Sequence, residues 1–377
     1  MPVYCYTSIN VYRKGLFLLS ISFREEIKNL KAYEPGKPIE DVKKEYGLSK
    51  VIKLASNENP LGCSPKVKEA IINALDELGI YPDGNATLLK EALSANLQVN
   101  VDEVLPSSGS DEMIDIIAKA YINKDDEVIM ADITFPRYIQ TTEMMGGTPV
   151  MVPLKEFTFD LDGILSKITN KTKIIWICNP NNPTGTMITE KEFIDFLDKV
   201  PSNVLVISDE AYREYVTRDD YPHNTINLLK KYSNLLVMRT FSKAYGLAGI
   251  RVAYTVGHRD IIETLNRVRG PFNVNTLAQV AAIEALADEE FLRKSYEINL
   301  EGKNYIYNEF DKLGFYYPPS ETNHIFVNVG KNGQEVFTEM QKRGVIIRPM
   351  GGDFIRVSIG TMDENRLFIK ELKEVLA

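Results

Sequence analysis

The sequence predicts an α/β protein, in which a doubly wound, mostly parallel sheet is followed by a smaller α+β C-terminal domain. Two patterns predict it. Between about residues 100 and 260, short apolar runs alternate with amphipathic stretches, as strands buried on both faces alternate with the helices that cover them. Beyond about residue 265 the alternation gives way to long charged helical stretches mixed with short apolar runs.

In chain order, Arg13-Lys14 precede the apolar run of residues 15–21. That run is too short to span a bilayer as a helix and has no small-residue cleavage site after it. Residues 1–22 therefore read as an extension and 23–50 as an arm, so that 1–50 precede a large domain over 51–267. In that domain Ile114, Ile117, Ala118 and Tyr121 fall at helical spacing, as do Phe193, Phe196 and Leu197. The runs at 127–130, 173–177, 204–207 and 235–238 have the length and branching of buried strands. Gly270-Pro271-Phe272 breaks the pattern and marks a small domain over 268–377. There a long helix is expected over 291–313, with strands at 325–329, 345–347 and 354–359.

Bulk properties narrow the function. A chain of 377 residues, 44% hydrophobic and 25% charged, can bury a large core. Its net charge of −8 and lack of a basic stretch argue against nucleic-acid binding. No other segment is apolar enough for a membrane helix, and a cytoplasmic protein is expected. Cys5, Cys63 and Cys178 are odd in number and widely spaced, and His223, His258 and His324 are scattered. Neither a disulfide framework nor a metal site follows from such spacing.

Ligands of open parallel sheets bind beyond the carboxyl ends of the strands, so the polar residues just after the apolar runs are the ones to examine, together with one polar segment upstream of the first run. Ser107-Ser108-Gly109-Ser110-Asp111 opens the helix that begins near Met113, where free N–H groups and the positive helix end suit a phosphate. Asn179-Pro180-Asn181-Asn182-Pro183-Thr184-Gly185 follows the second apolar run, and Asp209-Glu210-Ala211-Tyr212 follows the third. The fourth is followed by Ser242-Lys243, with Arg251 eight residues beyond the lysine. A lysine amine forms a Schiff base with a carbonyl, and serine, arginine and exposed amides hold a phosphate. No Gly-x-Gly-x-x-Gly follows the strands, which disfavours a dinucleotide-binding dehydrogenase.

Together these segments resemble the fold-type I pyridoxal 5'-phosphate enzymes, and among them the aminotransferases, over roughly residues 30–375. The resemblance implies that Lys243 bonds covalently to the cofactor and shuttles the substrate proton. It implies that Asp209 faces the pyridine nitrogen, that Asn182 and Tyr212 bond the ring's phenolic oxygen, and that Phe135 stacks on the ring. Gly109, Ser110, Asp111, Ser242 and Arg251 would hold the cofactor phosphate. Tyr81, in Ile80-Tyr81-Pro82-Asp83-Gly84, would reach the cofactor of a neighbouring subunit, so a homodimer is expected.

Tyr33-Glu34-Pro35-Gly36-Lys37-Pro38, the segment 54–62, Pro271-Phe272-Asn273-Val274-Asn275 and two late arginines resemble a branch of the family whose amino substrate carries a phosphate ester in place of a carboxylate. Arg356 matches the carboxylate-binding arginine, and Arg348 and Tyr33 are the candidates for the larger anion. The same arginines would serve the two carboxylates of glutamate and its 2-oxo acid. Aromatic amino-acid transamination and phosphothreonine decarboxylation are the alternatives within the family, and a noncatalytic binding protein is the alternative outside it. The chain departs from the family pattern in its long N-terminal extension and at His324, where an aromatic or apolar residue is expected.

Overall fold

The computed structural model describes residues 22–28, 30 and 36–377. Among these residues the strands are β1 (Ile52–Lys53), β2 (Val104–Ser107), β3 (Glu127–Ala131), β4 (Thr148–Val152), β5 (Thr172–Cys178), β6 (Leu205–Asp209), β7 (Leu235–Thr240), β8 (Ala253–Gly257), β9 (His324–Asn328), β10 (Val345–Ile346), β11 (Arg348–Pro349) and β12 (Phe354–Ser358). A seven-stranded sheet has the order β2-β8-β7-β6-β5-β3-β4. The pairs from β7 through β4 are parallel, while β8 runs antiparallel to both of its neighbours. The carboxyl ends of β2, β3, β5, β6 and β7 therefore meet along one edge.

The expected strands at 127–130, 173–177, 204–207 and 235–238 are β3, β5, β6 and β7. Three strands of the sheet escaped the periodicity, for two physical reasons. β2 and β4 are the edge strands. An edge tolerates Pro106 in β2 and leaves most of β4 partly exposed, which blurs its apolar signal. β8 is fully buried but carries Tyr254 and Thr255 among only five residues.

One hydrophobic core fills both faces of this sheet, and a second is built from β9–β12 and the helices Glu289–Leu313, Gly333–Lys342 and Met362–Leu376. The cores do not divide at residue 268. Helix Thr276–Ala287 buries Ala278, Ala281, Ala282 and Ala285 in the first core. At the other end, β1 pairs in parallel with β10 and places Ile52 and Leu54 in the second core. The expected strand at 345–347 is the short β10, and after Ile347 the chain passes from its pairing with β1 into an antiparallel sheet of order β11-β12-β9. Among the described residues no helix is long and apolar enough to cross a membrane.

Candidate active site

Lys243 lies in the turn after β7, and Gly246 and Arg251 shape the segment that follows. A Cβ at Gly246 would press against the backbone of Gly62 and Cys63, so this turn packs directly on the 59–63 loop. The Lys243 Nζ donates to the Ser56 carbonyl at 3.2 Å and lies 5.7 Å from the Tyr212 ring centre. Burial, and then the charge of Arg356, lower its pKa from 10.5 to about 8. Near neutral pH an appreciable fraction of this amine is unprotonated and nucleophilic.

Asp209 ends β6 and is buried. Its Oδ2 accepts from the Tyr138 hydroxyl at 2.6 Å and its Oδ1 from the Ala211 N–H at 3.2 Å. Burial pushes the carboxyl up to about 6 against the pull of those two hydrogen bonds. Tyr138 is itself fixed by stacking on Trp176, with centroids 4.4 Å apart. The turn after Asp209 is anchored by Glu210, which accepts from Arg239 at 2.8 and 2.9 Å in a buried ion pair.

Tyr212 is buried, and its hydroxyl accepts from Asn57 Nδ2 at 2.9 Å. Asn57 is held in turn by Ser358, whose Oγ donates to Asn57 Oδ1 at 2.9 Å and accepts the Asn57 N–H at 2.8 Å. Asn182 Oδ1 accepts from Arg356 Nη1 at 2.6 Å, and Arg356 Nη2 donates to the Ala55 carbonyl at 2.6 Å. Asn182 thus joins the expected cofactor residues to an expected substrate residue. Phe135 is half-buried and meets Tyr138 edge-on at 5.7 Å.

Gly109 caps helix Ser110–Tyr121 at φ +84°, and a Cβ there would lie 2.9 Å from Arg251 Cζ. The guanidinium can occupy that space only because residue 109 is glycine. Arg251 reaches Ser242 Oγ at 3.5 Å and Asp111 at 3.5 Å, both long, and the Ala248 carbonyl at 3.1 Å. Ser110 Oγ is buried without a hydrogen-bond partner among the described residues. A positive helix end, a guanidinium and two hydroxyls converge here into an anion cradle.

Arg348 and Arg356 are direct partners in the antiparallel register of β11 and β12. Opposed residues in such a ladder share a face, and two like charges there repel unless an anion joins them. Among the described residues no carboxylate pairs with Arg348.

Of the residues expected from the sequence, Lys243, Asp209, Tyr212, Asn182, Phe135, Gly109, Ser110, Asp111, Ser242, Arg251, Arg348 and Arg356 lie around the carboxyl edge of the large sheet or on the arginine face of the small one. Tyr33 lies outside the described residues. Tyr81 is not drawn into the site of its own chain; it is 80% exposed and stacks on Phe272 at 4.8 Å. Asn57, Tyr138 and the Glu210–Arg239 pair went unnoticed. Tyr138 stands three residues after Phe135, so an aromatic pair at helical spacing beside the Pro136 turn was its available signal.

The family model for aminotransferase class I and II matches residues 49–372. The chain is 48% identical over 358 residues to the histidinol-phosphate aminotransferase of Moorella thermoacetica, covering 94% of this chain and 93% of that one. It is 48% identical over 360 residues to the histidinol-phosphate aminotransferase of Caldicellulosiruptor saccharolyticus, covering 94% and 100%. Among solved structures it superposes on the Sinorhizobium meliloti histidinol-phosphate aminotransferase in complex with pyridoxal-5'-phosphate, with a TM-score of 0.88, 27% identity and coverage of 96% and 99%.

Proposed function

The chain belongs to the class I and II aminotransferases, and from that premise we propose that it transfers the amino group of L-histidinol phosphate to 2-oxoglutarate. The products are imidazole acetol phosphate and glutamate, the cofactor is pyridoxal 5'-phosphate, and the reaction serves histidine biosynthesis.

The residues present fit the cofactor. A phosphate suits the cradle of Gly109, Ser110, Ser242 and Arg251, where a buried hydroxyl lacks a partner and the arginine has only long contacts to Ser242 and Asp111. When bound, pyridoxal phosphate supplies an aldehyde that takes up the amino group and a ring that draws electrons from the adjoining carbon. Asp209 would hold a proton on the ring nitrogen, its carboxylate favoured by the cation it then faces. Tyr212 and Asn182 would bond the phenolic oxygen, and Phe135 would cover a ring face. Lys243 provides the amine that carries the cofactor between turnovers. It would also take the proton from the amino-bearing carbon of the substrate and deliver it to the carbon that the cofactor's aldehyde supplies, a role that a pKa of about 8 suits.

The observation that carries the substrate reading is the opposition of Arg348 and Arg356. Two guanidinium groups on one face match a phosphate ester in one half-reaction and glutamate's carboxylates in the other. A homodimer completes the proposal, with Tyr81 reaching the neighbouring subunit. Its support is that Tyr81, Ile80 and Leu78 stand together as exposed apolar side chains.

The test is single-turnover conversion of the cofactor from its aldehyde to its amine form with histidinol phosphate, phenylalanine and phosphothreonine in parallel. Histidinol phosphate is expected to react fastest. A large preference for phenylalanine overturns the substrate reading and leaves the cofactor reading intact.

A further inference from the structure

Burial pushes the Tyr212 phenol well above its ordinary range, against the pull of the Arg356 charge and of the Asn57 side chain. The hydroxyl therefore keeps its proton, and has one O–H to donate and lone pairs with which to accept. Which way that O–H points depends on what the neighbouring side chain offers it.

The neighbour is Asn57, and Ser358 decides which end of its amide faces Tyr212. Ser358 Oγ accepts the Asn57 backbone N–H at 2.8 Å and lies 2.9 Å from Asn57 Oδ1. Among the described residues that oxygen is the acceptor available to the Ser358 hydroxyl proton. A turned amide would set its NH2 against Ser358 and leave a buried hydroxyl proton unpaired, which is costly. Oδ1 therefore faces Ser358, and Nδ2 faces Tyr212 at 2.9 Å. The main chain of Asn57 is fixed as well. Its φ of +56° is a left-handed conformation that asparagine tolerates, and its carbonyl accepts from Asn323 Nδ2 at 3.0 Å.

An amide nitrogen only donates, so its bond occupies a lone pair of the Tyr212 oxygen and leaves the O–H directed elsewhere. Among the described residues no protein group accepts that O–H. We propose that Asn57 is a positioning residue, whose Nδ2 holds Tyr212 as a donor and keeps its O–H for the phenolic oxygen of the cofactor. This rests on the reading of Tyr212 as a residue that bonds that oxygen. Ser358 is the second part of the device, since it orients the amide from the side away from Tyr212.

A donor at the phenolic oxygen favours that oxygen in its charged form, so the bound chromophore gives up its proton at a lower pH. The test is a double-mutant cycle on the cofactor-loaded enzyme, with two readouts that need no turnover. One is the pH midpoint of the cofactor's visible absorbance, and the other is its dissociation constant by equilibrium dialysis. Asn57→Gly removes the donor and keeps the left-handed backbone without strain, while Ser358→Ala frees the amide to turn. Each is made in wild type and in Tyr212→Phe.

The midpoint is expected to rise in Tyr212→Phe. In Asn57→Gly it is expected to rise by roughly 0.3 to 1 pH unit, and cofactor affinity to fall by roughly two- to tenfold, the worth of one hydrogen bond between neutral groups. Ser358→Ala moves both in the same direction by less. In the Tyr212→Phe background neither substitution adds to the shift.

A midpoint that moves in Tyr212→Phe but stays in Asn57→Gly overturns the proposal and leaves the Tyr212 reading standing. A midpoint unmoved in Tyr212→Phe overturns both. Equal shifts from Asn57→Gly in the two backgrounds also overturn the proposal, because the amide would then act without passing through Tyr212. If Asn57→Gly does not fold, Ser358→Ala decides by the same comparison.

Discussion

The Tyr138 hydroxyl donates to Asp209 Oδ2 at 2.6 Å while its ring lies flat on Trp176. A buried carboxylate is thereby given one strong donor that cannot swing away. In Tyr138→Phe the stacking survives and the donor is lost, so the Asp209 carboxyl rises further above its ordinary range. Cofactor affinity at neutral pH is expected to fall by about ten- to a hundredfold, the equivalent of about 1.5–3 kcal/mol for one buried hydrogen bond to a charged group. Equilibrium dialysis of pyridoxal phosphate measures it, and an unaltered dissociation constant contradicts this role for Tyr138.

Asp209 itself is expected to destabilise the cofactor-free chain. Its carboxyl binds a proton more tightly folded than unfolded, so its contribution favours the fold below pH 3.8 and is lost as pH rises through about 6. The rise from 3.8 to about 6 corresponds to about 3 kcal/mol, all of it working against the apoenzyme at pH 7.5. In Asp209→Asn the amide oxygen still accepts from Tyr138 and no charge is buried, at the lesser cost of turning the amide nitrogen toward the Ala211 N–H, which loses a long hydrogen bond of 3.2 Å. The apo variant should therefore outlast wild type in urea at pH 7.5, with the gain fading toward pH 4, while losing its cofactor affinity. A less stable apo variant at pH 7.5 would show that the carboxylate is a net support of the fold.

The parallel strands and the polar residues at their carboxyl ends were legible because burial on both faces leaves uninterrupted apolar runs, and each run is followed at once by its functional residue. The strands that bound the sheet were not, since edge position admits Pro106 in β2 and exposed residues in β4. Contacts across long separations were also hidden. Asn57 reaches Tyr212 over 155 positions, and nothing local marks either as the other's partner. Arg348 and Arg356 could be named from their neighbours in sequence, but their opposition depends on a register fixed only once β11, β12 and β9 assemble. Which core the segment after residue 268 joins was hidden for a related reason. Helix Thr276–Ala287 follows the break at Gly270-Pro271 yet spends its alanine face on the large sheet's core.

The lowered pKa of Lys243 sets a pH dependence that can be read without the natural cofactor. Only the neutral amine attacks a carbonyl, so the rate of labelling by benzaldehyde with cyanoborohydride should climb through a midpoint near pH 8 in the apoenzyme. An exposed lysine climbs near 10.4 instead. Peptide mapping isolates the label on Lys243. In Arg356→Met the midpoint should move upward, because the second-largest influence holding the amine neutral is that guanidinium. A wild-type midpoint above pH 10 contradicts the desolvated setting of the amine.

The hydroxyl of Ser110 separates the needs of the empty chain from those of the loaded one. Its Oγ is buried with no partner among the described residues, at the first position of helix Ser110–Tyr121. A buried hydroxyl that makes no hydrogen bond carries a desolvation cost of about 1–3 kcal/mol. Ser110→Ala removes that cost and favours the helix besides, as alanine has the higher propensity. The apo variant is therefore expected to melt no lower than wild type, and by up to several degrees higher. With pyridoxal phosphate the order should reverse, because the phosphate is the partner that the hydroxyl lacks and the variant binds it about tenfold more weakly. Thermal melts with and without cofactor give both halves from one pair of proteins. A drop in melting temperature without cofactor would mean that the hydroxyl supports the fold directly, and equal cofactor affinity would remove Ser110 from the phosphate seat.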